Sequence, residues 1–353
     1  MKVFALGAAW VVLLWGGAAA GLDLEAKLGV EYDDNPFEAV SGERAGWLNR
    51  LYLRTAGPLL ETPRGVLQVQ HKLGLKRFWM VEEMAGGRGD VMANQVEVAG
   101  MAQLQKRLLL QWGSQFKLKN VQRISNEQSY LHGGIHLGLE GGLRSGMVGG
   151  LRYRMGGDDA RDAQLSDVSL QELGGELRYG RSRRFRARLG LNWRWLDYDR
   201  PRLVQSGAGF WERGQRKQAD QRREITADVQ VYRDVLVQTK YAFLDNHSNS
   251  LGYGYRAHRL QILLTRHIAG GLDGQLYFTS QLRRYDEPVP GDVKPVAAEE
   301  DEYEQTMVSV KMARQLNQRY GVSAQYRYSR NGSRQDEGFF RKNVYALSLD
   351  MGL

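Results

Sequence analysis

The chain has 353 residues, with 49 Lys+Arg against 40 Asp+Glu for a formal net charge of +9, 42% hydrophobic residues, 42 Gly, 17 Tyr, 8 Trp and no Cys. So much apolar and aromatic surface excludes an intrinsically disordered chain, and the lack of Cys excludes a disulfide framework, thiolate metal sites and thiol catalysis. Mean hydropathy is −0.49, and only the first stretch approaches the run of about 20 apolar residues that each span of a polytopic helical membrane protein needs.

That first stretch reads as an export signal. Met1 and Lys2 supply a positive charge, Val3 to Trp15 is almost unbroken in its apolarity, and Ala18, Ala19 and Ala20 offer small residues for cleavage. No Cys follows, which excludes a lipoprotein. The expected organisation is a signal peptide over 1–20 and a single domain over 21–353.

From there to the end, apolar and polar residues alternate with period two, and sustained helical periodicity is almost lacking. The predicted strands are 22–32, 47–55, 65–77, 91–103, 108–119, 128–139, 147–155, 168–179, 184–197, 220–232, 235–244, 253–266, 272–283, 303–312, 319–329 and 340–353. In the clearest of them, Phe185, Ala187, Leu189, Leu191, Trp193 and Trp195 interleave with Arg184, Arg186, Arg188, Asn192 and Arg194. Successive strand residues point to opposite faces, so each segment has one apolar and one ionic side.

Three observations favour a membrane barrel over a soluble sandwich. The segments run to about 9–14 residues, where soluble strands average about 5–6 and tilted membrane strands need about 9–11. Connections alternate between short, as at Arg233–Asp234, and long, as at Tyr198–Ala219 and Arg284–Glu302. All seven prolines (Pro36, Pro58, Pro63, Pro201, Pro288, Pro290 and Pro295) fall in predicted connections, as expected where no edge strand can tolerate a missing N–H. The fold class is therefore all-β: a transmembrane antiparallel β-barrel of about 16 strands, with 14–18 the range left by one misjudged hairpin. Its expected place is the bacterial outer membrane, in contact with outer-membrane lipid. Aromatics near segment ends, among them Trp47, Trp112, Trp193, Tyr255 and Tyr285, are expected to form interfacial girdles.

With the apolar face toward lipid, the ionic face lines a lumen too wide for side chains to fill. On this parity the lumen-lining basic residues are Lys72, Lys76, Lys117, Arg152, Arg154, Arg184, Arg186, Arg188, Arg194, Arg283 and Arg327. They exceed the inward acids, which include Glu172, Glu176 and Asp228. Basic linings favour anions, and guanidinium groups suit carboxylate, sulfate or phosphate. A competing expectation is that these Arg pair with Glu172, Glu176 or Asp228 across strands. Nucleic acid is not an expected partner, because the basic residues alternate along strands of an exported chain. No catalytic constellation is expected either: Ser248 directly follows His247 in a loop-like run, without the spacing of lipid-hydrolysing barrels. His132 and His136 share a strand face, but two His without a third ligand do not make a metal site, so no metal or cofactor is expected.

Two motifs carry a resemblance. Tyr32-Asp33-Asp34-Asn35-Pro36-Phe37 closes the first strand, and Asn246-His247-Ser248-Asn249 precedes the Tyr253-Gly254-Tyr255 strand start. Together they resemble a broad group of bacterial outer-membrane β-barrel proteins associated with exopolysaccharide or capsule export. The resemblance covers about 35 residues in motif and the remaining chain in architecture only. The chain departs from the usual pattern in ending Asp350-Met351-Gly352-Leu353 without a terminal aromatic. It implies a passive conduit for an anionic polysaccharide or other acidic solute, with separate periplasmic export proteins as possible partners. On this reading the loop aromatics Phe210 and Trp211 stack on sugar faces. The alternative is a non-conducting barrel, a scaffold or receptor for another envelope component, with the long loops over 198–219 and 284–303 folded inward.

Overall fold

The computed structural model describes residues 22–35, 45–80, 90–122, 129–144, 146–160, 167–182, 184–205, 211–286, 305–331 and 340–352. The predicted signal peptide, Phe210 and four of the prolines (Pro36, Pro288, Pro290 and Pro295) lie outside these residues. Sixteen strands are present: β1 (Asp23–Asp33), β2 (Gly46–Thr62), β3 (Gly65–Met80), β4 (Asp90–Gln105), β5 (Leu108–Gln122), β6 (Tyr130–Arg144), β7 (Met147–Ala160) and β8 (Val168–Ser182). They continue with β9 (Phe185–Gln205), β10 (Trp211–Tyr232), β11 (Val235–Ser248), β12 (Tyr255–Ile268), β13 (Leu272–Tyr285), β14 (Gln305–Gln315), β15 (Tyr320–Asn331) and β16 (Phe340–Gly352). Each pairs antiparallel with its sequence neighbours, and β1 pairs with β16, so the sheet closes into a barrel.

The exposure pattern is the reverse of a soluble core. On the outer wall Leu151, Leu191 and Leu347 are 64%, 61% and 67% exposed, while inside Glu31 and Glu172 are 2% exposed. Each outer aliphatic would cost about 1.5–3 kcal/mol to leave in water, so hydrocarbon is the medium that this wall fits. Ladder closure leaves no unpaired edge, which a bilayer demands. The architecture is that of an outer-membrane β-barrel, and the chain is placed in the bacterial outer membrane. Two local devices shape the wall. The β12–β13 turn needs left-handed backbone at Gly270 (φ 74°) and Gly271 (φ 75°), which glycine supplies without strain. On the outer face the Trp112 indole lies across Gly100, where a Cβ would fall 2.3 Å from the ring.

Three expectations need correction. Pro58 and Pro201 lie inside β2 and β9, each beside a register shift, at Pro58/Leu60 and at Lys217/Ala219 opposite Pro201. A bulge already interrupts the ladder there, so the missing N–H leaves little unmatched. The region 198–219, expected as a loop, is mostly strand, and Trp211 opens β10 opposite Gln205 instead of sitting in a loop. Tyr255 and Tyr285, expected in the lipid girdle, share register with inward Asn246 and with each other, and so face the lumen.

The strand-end motif of β1 is a latch. Asp33 is ion-paired to Lys342 at 2.9 Å, and Asn35 donates to the Arg341 carbonyl at 3.0 Å. Asp34 accepts from the backbone N and the Nδ2 of Asn343 at 2.6 and 2.7 Å. This short run ties the first strand to the last.

Candidate functional site

The lumen wall is the surface on which the ionic halves of all strands converge. On β7–β10 it is a lattice. Glu172 accepts from Arg152 at 3.2 Å and from Arg194 at 2.5 Å, and Arg194 also approaches Glu224 at 3.9 Å. One layer toward the short turns, Arg178 pairs with Glu140 at 2.5 Å and Glu176 at 2.8 Å, and Arg188 reaches Glu176 at 3.5 Å. The register explains it, since Arg194 sits directly opposite Glu172, and Arg188 opposite Arg178 with Glu176 one pleat away. Between the charges the wall is bare: Gly138, Gly150, Gly174 and Gly190 help to line a recess of about 350 Å³. Arg188, Arg194, Arg259 and Lys240 edge it together with Glu140, Glu176, Glu224 and Asp228.

The β3–β5 wall is built differently. Gln95 of β4 lies opposite Lys72 on one side and Lys117 on the other, so the three form one cross-strand row on the inner face. The row continues to Arg54 on β2, which pairs with Glu25 at 2.9 Å. Lys117 lies 5.0 Å from the Tyr130 ring centre. Among the described residues neither Lys72 nor Lys117 has an ion-pair partner. Lys76 lies farther along the same face of β3, opposite Arg50, which is held by Glu31 at 2.8 Å.

His132 stands between the two walls. It lies opposite Lys117 on β5 and Asp158 on β7. Arg154 approaches Nε2 at 3.0 Å and can only donate, so Nδ1 carries the proton and donates to Asp158 at 2.5 Å. His136 is on the same inner face, opposite Arg154. Among the described residues no cluster of three or more His, Cys, Asp or Glu could hold a metal.

At the long-loop end the inner face of β9–β13 is filled. The segment 249–254 laces back over the β10 bulge: Asn249 caps the Ala219 N–H and the Lys217 carbonyl, and Leu251 donates to the Leu203 carbonyl at 3.1 Å. Arg200 lies between the rings of Tyr198 and Tyr253, at 4.9 and 4.7 Å. Burial pushes the Tyr253 hydroxyl above its ordinary value, with Arg200 opposing. Buried Asn246 donates to Asp220 at 3.2 Å and to the Tyr253 carbonyl at 2.9 Å, and Arg283 lies 4.2 Å from the Tyr255 ring centre.

The sequence-predicted basic residues therefore have unlike surroundings. Arg152, Arg154, Arg188 and Arg194 belong to ion pairs or the His132 chain, and Arg283 belongs to the tyrosine cluster. Arg186 and the turn residue Arg184 are exposed near the short-turn end, with Arg186 lining a mouth cavity of about 780 Å³. Arg327 is half-buried, opposite Ser309 and Val344. The run around His247 is structural, with His247 Nε2 2.9 Å from Asp245 and Ser248 Oγ accepting from the Ser250 N–H. Arg50, Arg54, Arg222 and Lys240 share the inner face and did not enter the predicted set; extending the period-two parity along β2, β10 and β11 would have found them.

No protein-family model matches the sequence, and no curated protein matches it. In fold the chain is similar to solved outer-membrane barrels. It covers 94% of its length and 98% of the anion-selective porin from Comamonas acidovorans, at 12% identity and a TM-score of 0.50. Against Pseudomonas aeruginosa OprD it covers 94% and 95%, with 11% identity and a TM-score of 0.47. A bacterial polysaccharide outer membrane secretin is similar over 94% and 98%, at 10% identity and a TM-score of 0.43. At these identities the likeness is one of fold.

Proposed function

We propose that this barrel is a passive pore that favours acidic solutes, an anionic polysaccharide among them. The observation that carries the reading is the Lys72–Gln95–Lys117 row: inward cations, without carboxylate partners among the described residues, on a wall next to the Arg–Glu lattice and separated from it by β6. Such groups raise the local concentration of anions, and weak attachment at several positions lets a polymer move on. The exposed Arg186 and Arg184 near the short-turn end extend the same field toward the periplasmic mouth, where separate export proteins would hand over the polymer. The protein supplies no chemistry in this scheme, only guidance. Planar-bilayer recordings under a salt gradient test it: an anion-selective reversal potential is expected, and a cation preference would overturn the reading.

One observation favours a second reading. The 249–254 segment and the buried tyrosines fill part of the inner face at the long-loop end, as a scaffold or receptor barrel would require. A chain that inserts and folds but conducts no ions would favour it.

A further inference from the structure

Outward-facing arginines crowd the long-loop rim on one half of the barrel. On β12, β13, β15 and β16 the outward face ends in Arg256, Arg284, Arg330 and Arg341, and on β10 Arg223 lies outward at the level of Trp193, all exposed. Below each lies the lipid-facing surface, for example Ile225 on β10 at 52% and Leu282 on β13 at 71% exposed. On β7 and β9 the corresponding rim carries Asp159, Asp197 and Asp199 instead. The basic residues are also opposed: Arg256 is the direct cross-strand partner of Arg284, and Arg330 of Arg341. Like charges directly opposite each other on one face repel. Asp245 meets Arg256 at 3.4 Å but is shared with His247 at 2.9 Å, and among the described residues Arg284 has no ion pair. One carboxylate thus serves two cationic or protonatable groups, Arg256 and His247, at the edge of hydrocarbon. Arg223 lies 5.0 Å from the ring centre of Trp193, which stacks on Trp195 at 5.2 Å, so its guanidinium is held at the level of the girdle.

We propose that this rim, centred on the Arg256/Arg284 pair, is a docking surface for the phosphate groups of outer-leaflet glycolipid. A phosphate bridging the two guanidinium groups would cancel their repulsion and accept the paired N–H bonds that the planar fork offers. The acyl chains would lie on the apolar wall directly below, so a single ligand would satisfy both surfaces. The part of the rim carrying Asp159 and Asp197, with Asp199 paired to Lys217, offers the same headgroup no cluster of arginines. The inference concerns the outer face and does not depend on what passes through the lumen.

The test uses the full chain in phosphatidylcholine vesicles containing either diphosphorylated lipid A or its dephosphorylated form, with bound lipid read by native mass spectrometry. Wild type should retain the diphosphorylated form preferentially. The Arg256→Gln/Arg284→Gln double variant should lose that preference by roughly thirtyfold, as two basic residues at an anionic surface imply, and Arg256→Lys/Arg284→Lys should restore part of it. Heat-modifiable gel migration checks that each variant is folded, and ion conductance should be unchanged. Retention of diphosphorylated lipid A unaffected by the double variant would overturn the proposal. An equal loss of both lipid forms would also overturn it, by pointing to apolar contact alone. Displacement of lipid A by inorganic phosphate would assign the site to the free ion instead and sink the lipid reading.

Discussion

The two stretches of lumen wall that flank β6 use the same charge sign in opposite ways. On β7–β10 the cations are arginines, and Arg152, Arg178, Arg188 and Arg194 are each held by a carboxylate; Glu172 at 2% exposure lies between Arg152 and Arg194. On β3–β5 they are lysines, and glutamine instead of glutamate separates Lys72 from Lys117. A planar guanidinium suits a fixed two-pronged pairing, whereas an ammonium on a flexible stem remains hydrated and points where the field asks. Density of positive residues along a strand is therefore a poor guide to positive charge offered to a solute. The strand with the most arginine spends much of its charge on the wall itself.

Three variants bear on that contrast. Glu172→Gln should be the most damaging, since it leaves two guanidinium groups around a site with no anion; breaking such a buried pair from one side costs about 3 kcal/mol. A lowered midpoint of heat-modifiable migration would show it, and an unchanged midpoint would mean that the lattice is decorative. Lys72→Glu combined with Lys117→Glu should leave that midpoint within about 0.5 kcal/mol of wild type while cutting the anion-to-cation permeability ratio roughly tenfold. Equal selectivity in the double variant and wild type would remove the β3–β5 row from the conduction path. His132→Gln is the mildest change. It gives up one of the two bonds linking Arg154 to Asp158, costs about 1 kcal/mol, and should broaden the open-channel current as Arg154 gains freedom. A quieter channel would contradict that account.

The strands were legible because lipid on one side and water on the other impose strict alternation, as in β9 from Phe185 to Trp195. Their outer limits were not. Beyond the membrane that constraint lapses, and β9 and β10 continue as a paired ribbon through Pro201 and the bulge at Lys217. Period two also separated inward Arg188 and Arg194 from outward Leu189 and Trp193, yet it does not say which carboxylate each arginine meets. That depends on register, which places Glu172 of β8 against Arg194 of β9. Tyr255 and Tyr285 misled for a related reason: an aromatic at a strand end suits a girdle, but here its parity turns it toward Arg222 and Arg283. The two motifs were visible as residues, but their work was not. Asp33, Asp34 and Asn35 bind β16, and Asn246 and Asn249 pin the turn after β11, contacts hundreds of residues away in one case and across a bulge in the other.

The latch between β1 and β16 has a consequence for assembly. Its partners come from opposite extremities of the polypeptide, so the last ladder to form is the one with the largest closure entropy, and every earlier state keeps two raw edges. Asp33, Asp34 and Asn35 then act as a clasp whose reward arrives only when the circle is complete. Main-chain register closes the same seam from its far end, where Glu25 lies beside Gly352, so the clasp and the ladder grip β1 and β16 at opposite ends of one pairing.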